Sequence, residues 1–529
     1  MPPKVLSRTV SNVSATVGAS QNPQSKDQPY TRNQRLTLLA CILGSSAAFL
    51  DGTIVNVALP AIRASVHGGL QTQEWVVDGY LLTLGALLLV GGSLGDVYGR
   101  RRIFALGVGS FGAASLVCAI APNAPLLIAA RAVQGIAAAL LVPSNLALIM
   151  DTFSERQRAA AIGTWTAWTG IATVAGPLLG GLLVQAASWR WVFVINLPLV
   201  LVTLWLARAI PAQRRDPDAE IDWTGGGLVA LGLAGPIFAL IEQPSYGWSN
   251  PRVYGAMAVG CLLLVLFCWW ENRCSAPMLP LAIFRTRNFA IGNITTFLLY
   301  GGLSVALFFL VVFLQQVGGY RPLIAGLATL PISILMFLLA RRFGALADRL
   351  GPRLFMGIGP IVAGAGLLLL LALGTHPNYL TDVLPGVILL GLGLSVTVAP
   401  LTATVLSAAP AAHSGIASGV NNAISRVSGL VAIAIGGAVV SGHFASQVMH
   451  ALQSSHPAHG AGRAVAQAAS ATLQVHVPAG FAAAAHSHVH AVLARASVGA
   501  FHLAMLLAAA LAIVGGVLSL LGIRSQHSP

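Results

Sequence analysis

GSLGDVYGRRR, Gly92 to Arg102, lies between two long apolar runs, and an imperfect copy, GALADRLGPR from Gly344 to Arg353, returns 252 residues later. A glycine-rich turn carrying one acid and a cluster of arginines, present twice, predicts a chain made of two related halves.

The flanking runs set the class. Of 529 residues, 56% are hydrophobic and 8% charged, against roughly 25% charged in a soluble domain. Apolar runs of about 20 residues recur along the chain, each long enough to cross a ~30 Å hydrocarbon core as a helix. Backbone polar groups in lipid must be satisfied within the segment, so these runs are read as helices. Fourteen spans are predicted, giving an all-α membrane protein. The first six fall at about 36–60, 75–95, 103–122, 125–150, 160–185 and 190–209. A charged linker, Arg214 to Asp222, leads to two more at 224–242 and 253–271, and the last six fall at 290–314, 322–342, 354–374, 383–408, 414–442 and 497–521. The two glycine-acid turns follow spans two and ten. Six, two and six therefore fits the duplication: a tail (1–35), a first six-helix bundle (36–210), a linker with two additional helices (211–289), a second bundle (290–521) and a short tail (522–529).

The net charge of +14 raises the question of nucleic acid, and the placement of the basic residues answers it. With a cytosolic N-terminus, the 29 Lys and Arg divide into 21 inside, 6 outside and 2 within spans. That is the positive-inside pattern, with both termini cytosolic, and the charge meets anionic membrane lipids rather than nucleic acid. The first 35 residues show no apolar core with a cleavage site, so no cleaved signal peptide is expected and the tail is read as disordered. None of the five cysteines forms a CxxC pair, which argues against a disulfide framework or metal site. Two lysines against 27 arginines hint at a GC-rich bacterial genome.

An outside loop, 442–496, holds eight of the 13 histidines and no Asp or Glu. Metal binding, a pH-dependent charge and a solvated or partly helical loop are three readings of it; irregular spacing without Cys or carboxylate favours the last.

These motifs together resemble the major facilitator superfamily. GSLGDVYGRRR is similar to its signature between helices two and three, and Gly344 to Arg353 to the second-half copy. LIAARAVQGIAAA (Leu127 to Ala139) resembles the fourth-helix motif, VAGPLLGGLL (Val174 to Leu183) the fifth-helix antiporter motif, and LDGTIVNVALP (Leu50 to Pro60) the first-helix signature of the fourteen-helix drug:proton antiporters. SWRWVFVINLP (Ser188 to Pro198), LAIFRTRNFAIGN (Leu281 to Asn293) and SGIASGVNNAISRVSG (Ser414 to Gly429) extend the resemblance over about 40–440. It implies two six-helix bundles plus two additional helices, and a proton-coupled exporter.

Each motif also has its own physical reading. Gly92, Gly95 and Gly99 let helix ends approach in a tight turn, where Asp96 can pair with Arg100 or with Arg156 and Arg158. With Gly344, Asp348 and Gly351 in the copy, they form a candidate conformational latch; a plain positive-inside loop explains the arginines but not the spaced glycines. The resemblance implies a lock biased toward the outward-facing state. Gly176, Pro177, Gly180 and Gly181 put a kink and a small-residue face in span five, which serves packing or, as the resemblance implies, tight closure against the other half.

Acids inside the bilayer are functional by default. Asp51 and Asp78 lie well inside spans and are the candidates for proton carriage, with Glu74, Glu242, Glu271 and Asp382 placed at span ends. Asp51 and Arg131 fall at similar depth, about 13 Å and about 9 Å from the outer ends of their helices at the helical rise. The expectation is that Arg131 holds Asp51 ionised until solvent access changes, coupling proton binding to a conformational step; a static pair is the alternative. Asp78 is a candidate substrate contact or a hydrated helix-end acid. Asn421 and Asn422 are candidate substrate contacts, and, with Ser333, stand where some cation exporters of the resembled branch carry extra acids, which argues against multiply charged substrates. Arg426 either faces a polar cavity or snorkels to the inside surface.

The resulting expectation is an exporter of amphipathic or monocationic small molecules across a bacterial cytoplasmic membrane, exchanging them for protons, acting as a monomer without cofactor or metal. A dedicated exporter of one endogenous metabolite or lipid is the nearest alternative. No P-loop, HExxH or GxSxG supports an ATPase or enzyme, and a non-transporting sensor would be expected to lack Asp51, Asp96 or Arg131.

Overall fold

The structure, a computed structural model, describes residues 30–211, 221–275, 277–408, 414–453, 465, 467–469, 472–475, 477 and 486–524. The first six helices are α1 (Arg32–Ser65), α2 (Leu70–Tyr98), α3 (Arg100–Ile120), α4 (Ala124–Thr152), α5 (Glu155–Ala186) and α6, broken at Ile195 into Trp191–Val194 and Asn196–Ala207. An inserted hairpin follows, α7 (Trp223–Tyr246) and α8 (Pro251–Glu271). The last six are α9 (Arg287–Gln316), α10, broken at Thr329 into Pro322–Ala328 and Leu330–Leu350, α11 (Pro352–Leu369), α12 (Leu384–Ser407), α13 (Ser414–Gln453) and α14 (His486–Gly522). Thirteen of these are long and apolar enough to cross a membrane, α10 and α12 counted with their leading turns; α6 is the shorter apolar fourteenth.

Local chemistry sets the ends. Thr31 and Gln34 form a reciprocal capping box that starts α1, each side chain accepting from the other's backbone N–H, at 2.9 Å and 3.3 Å, so two otherwise orphaned donors are satisfied. Proline occupies the first turn of α4, α8, α10, α11 and α12, where its missing N–H removes no helical bond. The helices overrun the predicted spans. α13 reaches Gln453 and α14 starts at His486, so helix takes up much of what the sequence reads as the 442–496 loop. Val465, Ala468, Ala469 and Leu473 from the intervening segment are buried in the main core.

Two bundles pack by one scheme. α2 lies on α4, α3 on α4, α1 on α5 and α6, and α3 on α6; α10 lies on α12, α11 on α12, α9 on α13 and α14, and α11 on α14. The duplicated turns coincide in backbone as well. Gly99 (φ 97°, ψ 122°) and Gly351 (φ 87°, ψ 144°) each start the next helix, and both occupy the left-handed region that favours glycine. The following arginines repeat a contact: Arg101 Nη2 donates to the Arg208 carbonyl beyond α6 (3.1 Å), and Arg353 Nε to the Leu520 carbonyl near the end of α14 (2.5 Å). Carbonyls at a helix C-terminus have no helical partner, and an arginine fork satisfies them.

The bundles meet along two flanks. On one, α2 faces α13, and α7 of the inserted hairpin packs on both. On the other, α5 faces the first segment of α10. Hydrogen bonds joining the bundles lie toward the face opposite the described chain ends: Gln315 Nε2 donates to the Val57 carbonyl (3.0 Å), and Arg63 Nη1 to Gln316 Oε1 (2.8 Å) and the Thr472 carbonyl (3.3 Å).

Candidate functional site

Asp51 stands near the middle of α1, which continues to Ser65. At the helical rise that continuation puts the carboxylate about 21 Å from the helix end, rather than the expected value of about 13 Å. Asp51 is fully buried and Arg131 is 1% exposed. Arg131 Nη1 lies 2.5 Å from Asp51 Oδ2, so the predicted pair forms. Isolated, such a pair would be a weak asset, because two charges must be desolvated. Here additional donors complete it. Gln134 Nε2 and Asn196 Nδ2 donate to Asp51 Oδ1 at 2.9 Å and 3.0 Å. Arg131 also donates from Nε to the Val76 carbonyl (2.9 Å) and from Nη1 to Gln134 Oε1 (2.7 Å). Its guanidinium lies 4.3 Å from the Tyr80 ring centre, within reach of a cation–π attraction. Ser115 Oγ accepts from Gln134 Nε2 at 2.9 Å.

Every helix of the first bundle except α5 thus supplies a side chain: α1 gives Asp51, α2 Tyr80, α3 Ser115, α4 Arg131 and Gln134, and α6 Asn196. Gln134 and Asn196 sit inside the quoted fourth- and sixth-span motifs, yet sequence reading gave neither a role. The available signal for Gln134 was its spacing: three residues from Arg131, it shares the same helix face.

The remaining candidates fall in three places. Asp78 is fully buried, with neither carboxylate oxygen hydrogen-bonded, so it is not a hydrated helix-end acid here. Glu74, expected at a span end, is 2% exposed inside α2, because that helix begins at Leu70 rather than 75. In α13, Asn421 Nδ2 donates to Asn293 Oδ1 (3.1 Å) and Thr296 Oγ1 (2.9 Å) of α9, whereas Asn422 is exposed and, among the described residues, its amide donates within its own helix, to the Ser418 carbonyl (3.0 Å). Arg426 does not snorkel to an end. Its guanidinium lies 5.3 Å from the Phe49 ring centre on α1, and its Cβ faces Gly85 on α2, which places it between the bundles.

In the turn after α2, Arg100 takes Asp96. Arg100 bridges Asp96 (2.9 Å) and Asp151 (2.7 Å), and Arg158 Nε turns to the Met150 and Phe153 carbonyls. The side chains of Arg156 and Asp348 lie outside the described residues. Gly92 faces Pro143 and Gly95 faces Ser144 of α4, and Gly344 faces Ala399 of α12. Arg100, Asp96 and Asp151 are 29%, 43% and 35% exposed, and such screened pairs contribute about 0–1 kcal/mol each. Asp151→Asn is therefore expected to lower stability by less than ~1 kcal/mol, read as thermal unfolding in detergent. A loss comparable to a core cavity would show that the triad carries folding rather than conformational balance.

The glycine face of α5 serves two neighbours. A Cβ on Gly176 would strike the Thr53 side chain of α1, and one on Gly180 would come 2.8 Å from the Ile54 carbonyl. A Cβ on Gly181 would lie 2.7 Å from the Pro322 carbonyl of α10, and Gly326 of α10 meets the Pro177 backbone in return. Among the described residues no group of three or more His, Cys, Asp or Glu is placed to share a metal ion. His443 pairs with Gln447 at 2.8 Å, while His456, His459 and His476 lie outside the described residues.

Comparison with known proteins decides the family. The model of the Major Facilitator Superfamily matches residues 41–433. The chain belongs to the major facilitator superfamily. The Multidrug resistance protein Stp of Mycobacterium tuberculosis (strain CDC 1551 / Oshkosh) is 35% identical over 418 residues, 78% of this chain and 76% of its own. The Methylenomycin A resistance protein of Bacillus subtilis is 35% identical, covering 76% of this chain and 87% of its own. The Tetracenomycin C resistance and export protein of Streptomyces glaucescens is 34% identical, covering 77% and 76%. Among solved structures, a bacterial homolog to human lysosomal transporter Spinster, inward-facing and unoccupied, superposes with a TM-score of 0.62 at 16% identity over 94% of this chain and all of that one. That likeness speaks for the fold. This major facilitator protein is a multi-pass membrane transporter and not an enzyme.

Proposed function

We propose that this major facilitator protein exports amphipathic or monocationic small molecules from a bacterial cytosol in exchange for protons, by alternating access between its two bundles. Its termini would face the cytosol and it would act as a monomer among membrane lipids. The observation that carries the reading is Asp51, a carboxylate buried in the first bundle and held by Arg131, Gln134 and Asn196. Proton binding at Asp51 weakens its hold on Arg131, and the donors that remain keep the site intact while Arg131 turns away. The drug- and antibiotic-resistance relatives support export of such compounds. The hydrogen bonds that join the bundles lie toward the face opposite the described chain ends, which in this orientation is the outside, and this supports reading the arrangement as inward-open.

The test uses everted vesicles with a pH-sensitive dye and a panel of amphipathic compounds. Substrate-triggered proton release is expected with wild type and lost with Asp51→Asn. Coupled uptake against a gradient by Asp51→Asn would overturn the proposal. One relative is named for export as well as resistance, which keeps a dedicated exporter of an endogenous product as the second reading, favoured if no compound of the panel gives a signal.

A further inference from the structure

Away from the Asp51 network, the flank where α2 meets α13 holds a second set of buried acids. Glu74 and Asp78 lie one helical turn apart on α2, so their side chains share a face. Glu74 is 2% exposed and Asp78 fully buried, and among the described residues both Asp78 carboxylate oxygens and Glu74 Oε1 are buried without a hydrogen-bond partner. The facing surface is bare: a Cβ placed on Gly437 of α13 would fall on the Glu74 carboxyl. Beside them Gln73 is also fully buried with both side-chain polar atoms unpaired.

The charged groups on the neighbouring helices do not compensate. On α7, Glu242 accepts from Trp75 Nε1 at 2.9 Å and adds a third carboxyl group rather than a cation. On α4 and α1, Arg131 is committed to Asp51. On α13, Arg426 stacks on Phe49 near Gly85, and His443 pairs with Gln447. Gly85 is about 10 Å along α2 from Asp78 at the helical rise. On α3, Arg100 belongs to the turn at the other end of α2. A buried carboxylate without donor or cation is held neutral, since the charged form costs far more than protonation.

We propose that Glu74 and Asp78 form a second proton-binding site, built into the seam between the bundles and separate from Asp51. The site is loaded when α2 and α13 close together and emptied to the outside when they part. It rests on the alternating-access reading above, and it makes closure of the outer face a proton-consuming step. Each carboxylate that takes up a proton on closure links the closed-to-open ratio to pH. The sign follows: the closed state binds more protons, so low outside pH favours closure and high pH favours opening. The limit is a tenfold change per pH unit for each carboxylate while it is fully ionised in the open state.

The experiment places spin labels at Ser65→Cys and Ser446→Cys, with the five native cysteines replaced, and measures their distance distribution in nanodiscs from pH 4 to 8 without substrate. In the wild-type background the closed population is expected to fall as pH rises. Glu74→Gln or Asp78→Asn alone should make that fall shallower. The double variant should stay closed across the range. An unchanged pH response in the double variant, or a wild-type closed population that does not move with pH, overturns the proposal. Asp51→Asn in the labelled protein separates the two sites: it should abolish proton-driven transport while keeping the seam's pH response. A seam response that disappears with Asp51→Asn instead assigns the titration to Asp51 and also overturns the proposal. If Asp51→Asn transports normally while the double variant is locked closed, the coupling proposal fails and this one stands.

Discussion

Arg131→Ala is expected to cost about 3–5 kcal/mol of stability, the range for removing one partner of a buried ion pair. The side chain is 1% exposed and joins four partners at once: Asp51, Gln134, the Val76 carbonyl and the Tyr80 ring. Removing it leaves Asp51 with two amide donors and no cation. The double variant Arg131→Ala with Asp51→Asn should recover part of that loss, because the stranded carboxylate is gone as well. Thermal unfolding of the four proteins of this cycle gives the coupling energy directly. Additive losses would show that the two side chains are independent. Arg131→Lys should fold better than the alanine variant yet transport poorly, since a single ammonium cannot replace a planar fork that reaches Asp51, Gln134 and Val76 together.

The second large effect comes from two glycines of one helix face, and it differs in kind between them. Gly176→Val drives a side chain into Thr53 of α1, within one bundle, where no conformational change relieves the clash. Overpacking of this sort costs about 1–3 kcal/mol, and the loss should appear as reduced folded yield and Tm. Gly181→Val clashes with Pro322 and Leu323 of α10, across the two bundles. Here separation of the bundles relieves the strain, so the same penalty falls on the closed state alone. A shift of about 5–150-fold toward the outward-open population is expected for ~1–3 kcal/mol, with Tm nearly unchanged. Distances between labels at Ala187→Cys and Arg321→Cys would report it. A Gly181→Val protein that unfolds like Gly176→Val would show that the α5 and α10 contact is structural rather than a moving seam.

These contrasts show what the linear sequence could and could not disclose. The turn at Gly92 to Arg102 was legible because its information is local: Gly99 needs the left-handed backbone whatever surrounds it, and Gly351 repeats the need 252 positions on. Asp51 and Arg131 were legible because a charge in a long apolar run is conspicuous, and two opposite charges at similar depth invite pairing. Ser115, Gln134 and Asn196 were not, since a neutral polar residue in an apolar helix stands out little and these three become one network only when α3, α4 and α6 are side by side. Glu74 escaped because hydropathy fades over several residues at a helix end, whereas its burial depends on Gly437, far along the chain on α13. The snorkelling alternative for Arg426 failed in the same way: its resting place is set by Phe49 and Gly85 on other helices.

The inserted hairpin bears on how a lipophilic molecule would reach the interior. α7 lies along both α2 and α13, and α8 lies outside α7 with most of its surface toward lipid. One flank of the molecule is therefore shuttered from the hydrocarbon. The other, between α5 and α10, carries no such cover among the described residues, and its glycines and prolines bring the two backbones close near one end. In the proposed export cycle, sideways entry from the inner leaflet falls to this second flank, and the two additional helices make the described helices one-sided within the plane of the bilayer.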